Sequence, residues 1–145
     1  MTTFRSLLSL IFVASLAAGC AESSATLTSP SSTVTAGQLA GTWTLLSIQP
    51  AGHSEQATPA GATYALTFAD GRLSTRVDCN TCNGPFALSG QTLTAGPGLA
   101  CTRAACRTTE FENTYTRLLG GEGTVTLSGD SLVLSSSRGV LRFAR

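Results

Sequence analysis

Four of the chain's five cysteines crowd into one stretch, CNTCNGPFALSGQTLTAGPGLACTRAAC, at positions 79, 82, 101 and 106. Cysteines this dense can hold a metal, run a redox cycle or cross-link a fold. Zinc calls for paired short spacings on rigid knuckles. Cys79 and Cys82 have the spacing Cys-x-x-Cys, but Cys101 and Cys106 are separated by Thr-Arg-Ala-Ala, which makes the second half of a zinc pattern poor. A redox pair needs Cys-x-x-Cys at the opening of a helix, where backbone amides lower the attacking thiol's pKa. Here Asn83-Gly84-Pro85 follows Cys82 and stops a helix at once. Cross-linking is the third chemistry, and it depends on the compartment.

The N-terminus points to export. Arg5 precedes the apolar run LLSLIFVASL, which is too short for a permanent membrane span, and the run ends in Leu16-Ala17-Ala18-Gly19-Cys20. That ending resembles the lipobox of bacterial lipoproteins, apart from Ala17 where Leu is most usual. In that reading residues 1–19 are a signal peptide and Cys20 becomes the acylated first residue, each buried methylene adding about 0.8 kcal/mol to the anchor. Residues 20–37, mostly Ser, Thr and Ala, read as a solvated spacer, and residues 38–145 as one domain. An oxidising compartment and an even set of four remaining cysteines favour two structural disulfides. Pairing Cys79 with Cys106 and Cys82 with Cys101 would close long loops, each contributing on the order of 3 kcal/mol in the chain-entropy model. Pairing neighbours, Cys79 with Cys82 and Cys101 with Cys106, would contribute little, and the spacing leaves both connectivities open.

Charge narrows the partners. All nine basic residues are Arg, and removing Arg5 leaves eight against eight acidic residues. A formally neutral chain offers no electrostatic footprint for nucleic acid and no polybasic patch for anionic lipid.

Period-two alternation sets the elements around the cysteines. GTWTLLSI reads as a strand in which Trp43 and Leu45 oppose Leu46 and Ile48. Tyr64, Leu66 and Phe68 share a face before an Asp70-Gly71 turn into RLSTRVD, a hairpin signal. FAL and TLTA flank Ser89-Gly90, and three more strands are broken at Gly129-Asp130 and Arg138-Gly139. One segment has helical spacing instead: Phe111, Tyr115, Leu118 and Leu119, with Thr109 and Glu112 as a capping box and Gly120-Gly121 as the stop. The expected fold is mainly β with one helix between the fifth and sixth strands. About eight strands in meander order would form a curved antiparallel sheet or cone-like partial barrel.

With those elements placed, the cysteine stretch resembles the central signature of the META/HslJ domain family. Cys79-Asn80 matches its Cys-Asn, Gly84 its Gly, and Thr102-Arg103 with Cys106 its closing Thr-Arg-x-x-Cys. Leu39, Gly41 and Trp43 match the domain's opening, and the similarity runs over essentially the whole domain. The resemblance implies a lipocalin-like cone of about eight strands with one helix. It also implies that the outer cysteines pair, so that Cys82 and Cys101 are an added pair and the bridges nest. Bacterial members are envelope proteins linked to heat shock and antibiotic tolerance, with no established catalysis or cofactor.

Residue by residue, an enzyme is hard to assemble. His53, the chain's one histidine, sits in a polar loop, where a solvated side chain is the ordinary reading, and no second site supplies a Ser/His/Asp or Cys/His arrangement. Asp78 reads as a strand-end residue bonding a loop, with Arg103 as an ion-pair partner. Asn80 reads as bonding backbone in the turn after its strand. Trp43 reads as a core residue closing the barrel base. The expectation is therefore a non-enzymatic, lipid-anchored envelope protein, at the outer membrane facing the periplasm, that meets a periplasmic protein partner. The competing expectation is a lipocalin-like carrier of a small apolar ligand or lipid.

Overall fold

The structure, a computed structural model, describes residues 33–96 and 98–145. The expected signal peptide, the expected lipidation of Cys20 and the expected spacer up to residue 32 lie outside the described residues. Ten strands and two helices follow in chain order: α1 (Ala36–Leu39), β1 (Gly41–Pro50), β2 (Gln56–Ala57), β3 (Tyr64–Ala69), β4 (Arg72–Val77), β5 (Asn80–Ser89), β6 (Thr92–Ala95), β7 (Ala100–Cys101), α2 (Thr109–Leu119), β8 (Gly121–Ser128), β9 (Ser131–Ser136) and β10 (Gly139–Ala144).

Eight of the strands form a meander that closes on itself. The antiparallel order runs β10-β9-β8-β6-β5-β4-β3-β1, and β1 pairs again with β10. The expected partial barrel is thus a closed one, and α2 falls between its fifth and sixth strands as the helical spacing indicated. Closure removes the unpaired edges that an open sheet of this length would expose. The two-residue strands β2 and β7 lie outside the circuit, on β1 and β5.

Alternation fills the interior. Tyr64, Leu66 and Phe68 on β3, and Leu73, Thr75 and Val77 on β4, are all buried. The tight turn between these strands puts both Asp70 and Gly71 at positive φ, 49° and 70°, which suits a two-residue hairpin. β1 departs from simple alternation. Leu46 is 53% exposed while Ile48 is fully buried with Trp43 and Leu45. A bulge against β10 is the reason: Leu45 faces Phe143 and Ser47 faces Arg142, so Leu46 is an extra residue that reverses the parity of all that follows.

The base of the barrel is sealed by a segment assigned to the spacer. Val34 is buried, Thr35 and Gln38 form a reciprocal capping box on the one-turn α1, and Leu39 is fully buried. The folded unit therefore begins four residues ahead of the expected boundary at 38. Val34 and Leu39 stand immediately before the N-cap and at the fourth helical position, the arrangement of a hydrophobic staple. Trp43 closes this end as expected. Its indole N–H donates to the Leu39 carbonyl at 2.8 Å, and the Arg145 guanidinium lies 4.0 Å above its ring.

At the opposite end α2 covers the barrel with Glu112, Tyr115, Leu118 and Leu119. Its start differs from expectation: the N-cap is Thr108, and neither Thr108 nor Thr109 makes a side-chain cap bond. Glu112 is one residue too far along to close a capping box and turns into the core instead. Tyr115 packs edge-on against Tyr64 and Phe143 and shares a 2.7 Å hydrogen bond with the Thr75 hydroxyl.

Burial raises the Tyr115 phenol well above its ordinary value of 10.0, and burial also raises Tyr64. In the unfolded chain both phenols ionise above about pH 10 while the buried ones keep their protons, so the unfolded state gains and stability falls. The chain has two tyrosines, no lysine and bridged domain cysteines, so little else titrates there. Urea unfolding is expected to show stability that falls above about pH 10 by about 1.4 kcal/mol per pH unit for the Tyr115 phenol, with a smaller share from Tyr64. Tyr115→Phe should cost about 1 kcal/mol at neutral pH through the lost hydrogen bond and remove most of the alkaline slope. An unchanged slope would show that Tyr115 ionises in the folded state.

Candidate functional site

β4 and β5 are joined by the two-residue turn Asp78-Cys79, with Asp78 at φ 57°, a left-handed conformation that aspartate tolerates better than most residues. The turn places Cys79 opposite Cys106, and the two form a disulfide. Three residues on, Cys82 faces into the barrel opposite Cys101 of β7 and forms the second. The bridges nest, as the family resemblance implied, with sequence separations of 27 and 19. The expectation of two disulfides is met, and none of these four sulfurs is a free thiolate.

β7 exists because β6 leaves β5 early. β6 pairs with the last residues of β5, Phe86 to Ser89, and β7 takes up pairing at Cys82 and Asn83. Between the two pairings Leu99 crosses over Gly84. A Cβ on Gly84 would stand 2.9 Å from Leu99 Cδ2, so glycine here serves close approach; its φ is not positive.

Asn80 is the centre of the site. Its side chain is buried, with Oδ1 accepting from the Thr102 hydroxyl at 2.9 Å and from the Ala104 N–H at 2.8 Å. Nδ2 donates towards the Ala104 carbonyl at 3.0 Å and towards both Glu112 carboxylate oxygens at 3.1 Å, and it lies 3.1 Å from the Cys106 sulfur. The expected role was to bond backbone in the turn beside it. Asn80 does bond backbone, but 24 residues away, so that one amide holds the loop after β7 and helix α2 to the start of β5. Thr102 completes the clamp: its hydroxyl accepts from the Thr81 N–H, and its own N–H donates to the Thr81 carbonyl.

Asp78 bonds a loop, as expected, but its partner is not Arg103. The Thr108 hydroxyl donates to Asp78 Oδ2 at 2.8 Å. Since that hydroxyl has one proton, the 2.8 Å contact between Thr108 and Tyr64 must have the phenol as donor. Burial, reinforced by the Asp78 and Glu112 charges, raises the Tyr64 phenol above its ordinary value and keeps it a donor. Arg103 is exposed and makes no ion pair or hydrogen bond among the described residues. It points instead into an open groove between the Gly96–Cys101 loop and the end of α2.

His53 is exposed, on a separate groove beside Pro59 and Phe111. Glu112, Thr108 and Leu99 are site residues that the motif reading passed over. Glu112 had a signal: it stands three residues before Tyr115 and seven before Leu119, on the helix face that is buried.

This stapled corner lies inside a longer match. The profile of the META domain covers residues 33–145. The chain belongs to the META domain family. The META barrel is similar to an NMR structure of a protein from Burkholderia xenovorans, at 26% identity over 76% of this chain and 85% of that one, with a TM-score of 0.63. A second NMR structure is 28% identical over 77% of this chain and 94% of its own, with a TM-score of 0.61. No curated protein is detectably similar. The profile begins at Thr33, one residue before the buried Val34, so the sealed base belongs to the META domain itself.

Proposed function

We propose that the chain is exported, anchored in the envelope through acylated Cys20, and that its META barrel acts there as a non-enzymatic interaction module in stress tolerance. The observation that carries the reading is the pairing of all four domain cysteines into nested bridges, which suits an oxidising compartment and removes the thiols a metal or redox site would need. The N-terminal lipobox-like sequence and the absence of an Asp after Cys20 favour the outer membrane, facing the periplasm. The polar groups of the signature support a structural task, since the Thr102 hydroxyl is bonded to Asn80 and the Thr108 hydroxyl to Asp78.

The carrier alternative meets a filled interior. Trp43 and α1 occupy one end of the barrel and α2 the other, and the void beneath α2 near Leu93 and Leu118 is about 10 Å³, room for a single water. An apolar ligand would have to displace α2.

Fractionation of expressing cells tests the anchor. The wild-type chain should sediment with membranes, resist a high-salt wash and yield to detergent, with an intact mass increased by acyl chains. Cys20→Ser should appear in the soluble fraction at its unmodified mass. If Cys20→Ser still partitions with membranes and the wild type has no added mass, the lipid-anchor reading fails.

A further inference from the structure

Of the three motif residues Thr102, Arg103 and Cys106, two have a structural task. Thr102 and Ala104 are held by Asn80, and Cys101 and Cys106 are bridged. Arg103 sits in the middle of this clamped segment, yet its side chain makes no bond among the described residues. The backbone is fixed on both sides, and the guanidinium is left for something else. It lines an open groove of about 450 Å³ that Arg117 and Arg138 also line, with Gly96, Gly98 and Gly120 in the walls. Among the described residues no acidic side chain lines the groove, although the domain as a whole is close to neutral; Glu122 borders the adjoining groove with Arg138. Arg138 donates to the Gly120 carbonyl at the C-terminal end of α2, which orients it towards that pole, while Arg117, like Arg103, makes no bond among the described residues.

The geometry points to this groove as a binding site for an oxyanion ligand carrying more than one carboxylate or phosphate group. Guanidinium groups pair with both anions through two parallel N–H donors, and three of them around a groove without a competing carboxylate can grip a polyanion from several sides. Holding Arg103 on a doubly stapled backbone lowers the ordering that binding must impose. The groove is at the α2 end of the barrel, and the chain enters the domain at the opposite end, where the Val34 N–H bonds the Gly90 carbonyl. The assignment extends the interaction reading but stands on the groove alone.

The test is calorimetric titration of the whole purified chain with citrate and, separately, inorganic phosphate at low salt. Citrate should bind more tightly than phosphate, weaken by about tenfold in Arg103→Gln and again in the Arg103→Gln, Arg117→Gln double variant, and be unaffected in Arg72→Gln, an exposed arginine at the other end of the barrel. Thermal midpoints should match the wild type, because the side chains of Arg103 and Arg117 make no bond among the described residues. Equal weakening in Arg72→Gln, or no binding of either anion at millimolar concentration, would overturn the site. Arg103-dependent retention on phosphatidylglycerol vesicles that citrate does not compete would overturn the assignment of the groove to a small polyanion. None of these outcomes alters the fractionation of Cys20→Ser, so the two readings fail separately.

Discussion

Reducing both disulfides is expected to remove about 5 kcal/mol of stability, enough to unfold the domain near physiological temperature. Closing loops with separations of 27 and 19 is worth about 3 kcal/mol each in the chain-entropy model. The two do not sum fully. Once Cys79 and Cys106 are joined, Cys82 and Cys101 are already confined to a small ring, so the second bridge contributes less than it would alone. Typical domains have only 5–15 kcal/mol in hand. Guanidinium unfolding with and without a strong reductant checks this, together with the paired variants Cys79→Ala, Cys106→Ala and Cys82→Ala, Cys101→Ala. Each paired variant should lose about 2–4 kcal/mol, and the combined loss should be smaller than the sum of chain-entropy terms. A reduced protein with an unchanged midpoint would mean that packing of the barrel alone sustains the fold.

Replacing Asn80 is expected to be the most damaging single substitution in the signature. Asn80→Ala would strand the Ala104 N–H and carbonyl and leave the Glu112 carboxylate facing a void, at a cost of about 2–4 kcal/mol. Asn80→Asp preserves shape but presents a carboxylate where Glu112 now meets an amide 3.1 Å away, so it should be at least as harmful at neutral pH. Adding Glu112→Gln to Asn80→Asp restores an amide facing a carboxylate and should recover part of the loss. Denaturation midpoints of the two single variants and the double variant form a cycle whose coupling energy reads the contact directly. Additive losses would show that Asn80 and Glu112 act independently.

The residues that declare themselves in the sequence are those whose constraints are local. Asp70-Gly71 reads as a hairpin turn because both residues tolerate positive φ, and Phe111, Tyr115 and Leu119 read as a helix because their spacing repeats within a dozen residues. α1 was legible too, since Thr35 and Gln38 have capping-box spacing, but a one-turn helix gives no periodicity and its Ser/Thr-rich surroundings read as spacer. The bulge at Leu46 has no comparable signal. It is imposed by the register between the first and last strands, nearly 100 residues apart, and only closure of the barrel requires it. Asn80 shows the same division: its type announces a polar clamp, but whether it holds its own turn or the Thr102–Ala104 loop depends on how β7 and α2 dock. Arg103 was assigned to Asp78 on proximity in the motif, whereas the Asp78 turn faces Thr108 at the other side of the Cys79–Cys106 bridge.

The pairing of β1 with β10 also governs how the molecule comes to be folded. Its first strand acquires its second circuit partner only when the six residues of β10 are available, so the closing contacts join opposite ends of the folded domain's sequence. Such high contact order slows folding, because the entropy of a long loop is lost before the pairing that rewards it. Until then β1 and β9 are open edges, and the partly made sheet is prone to join with another copy of itself. Under the export proposed above this timing is favourable, since a barrel that cannot close before its last strand arrives cannot fold too early on the wrong side.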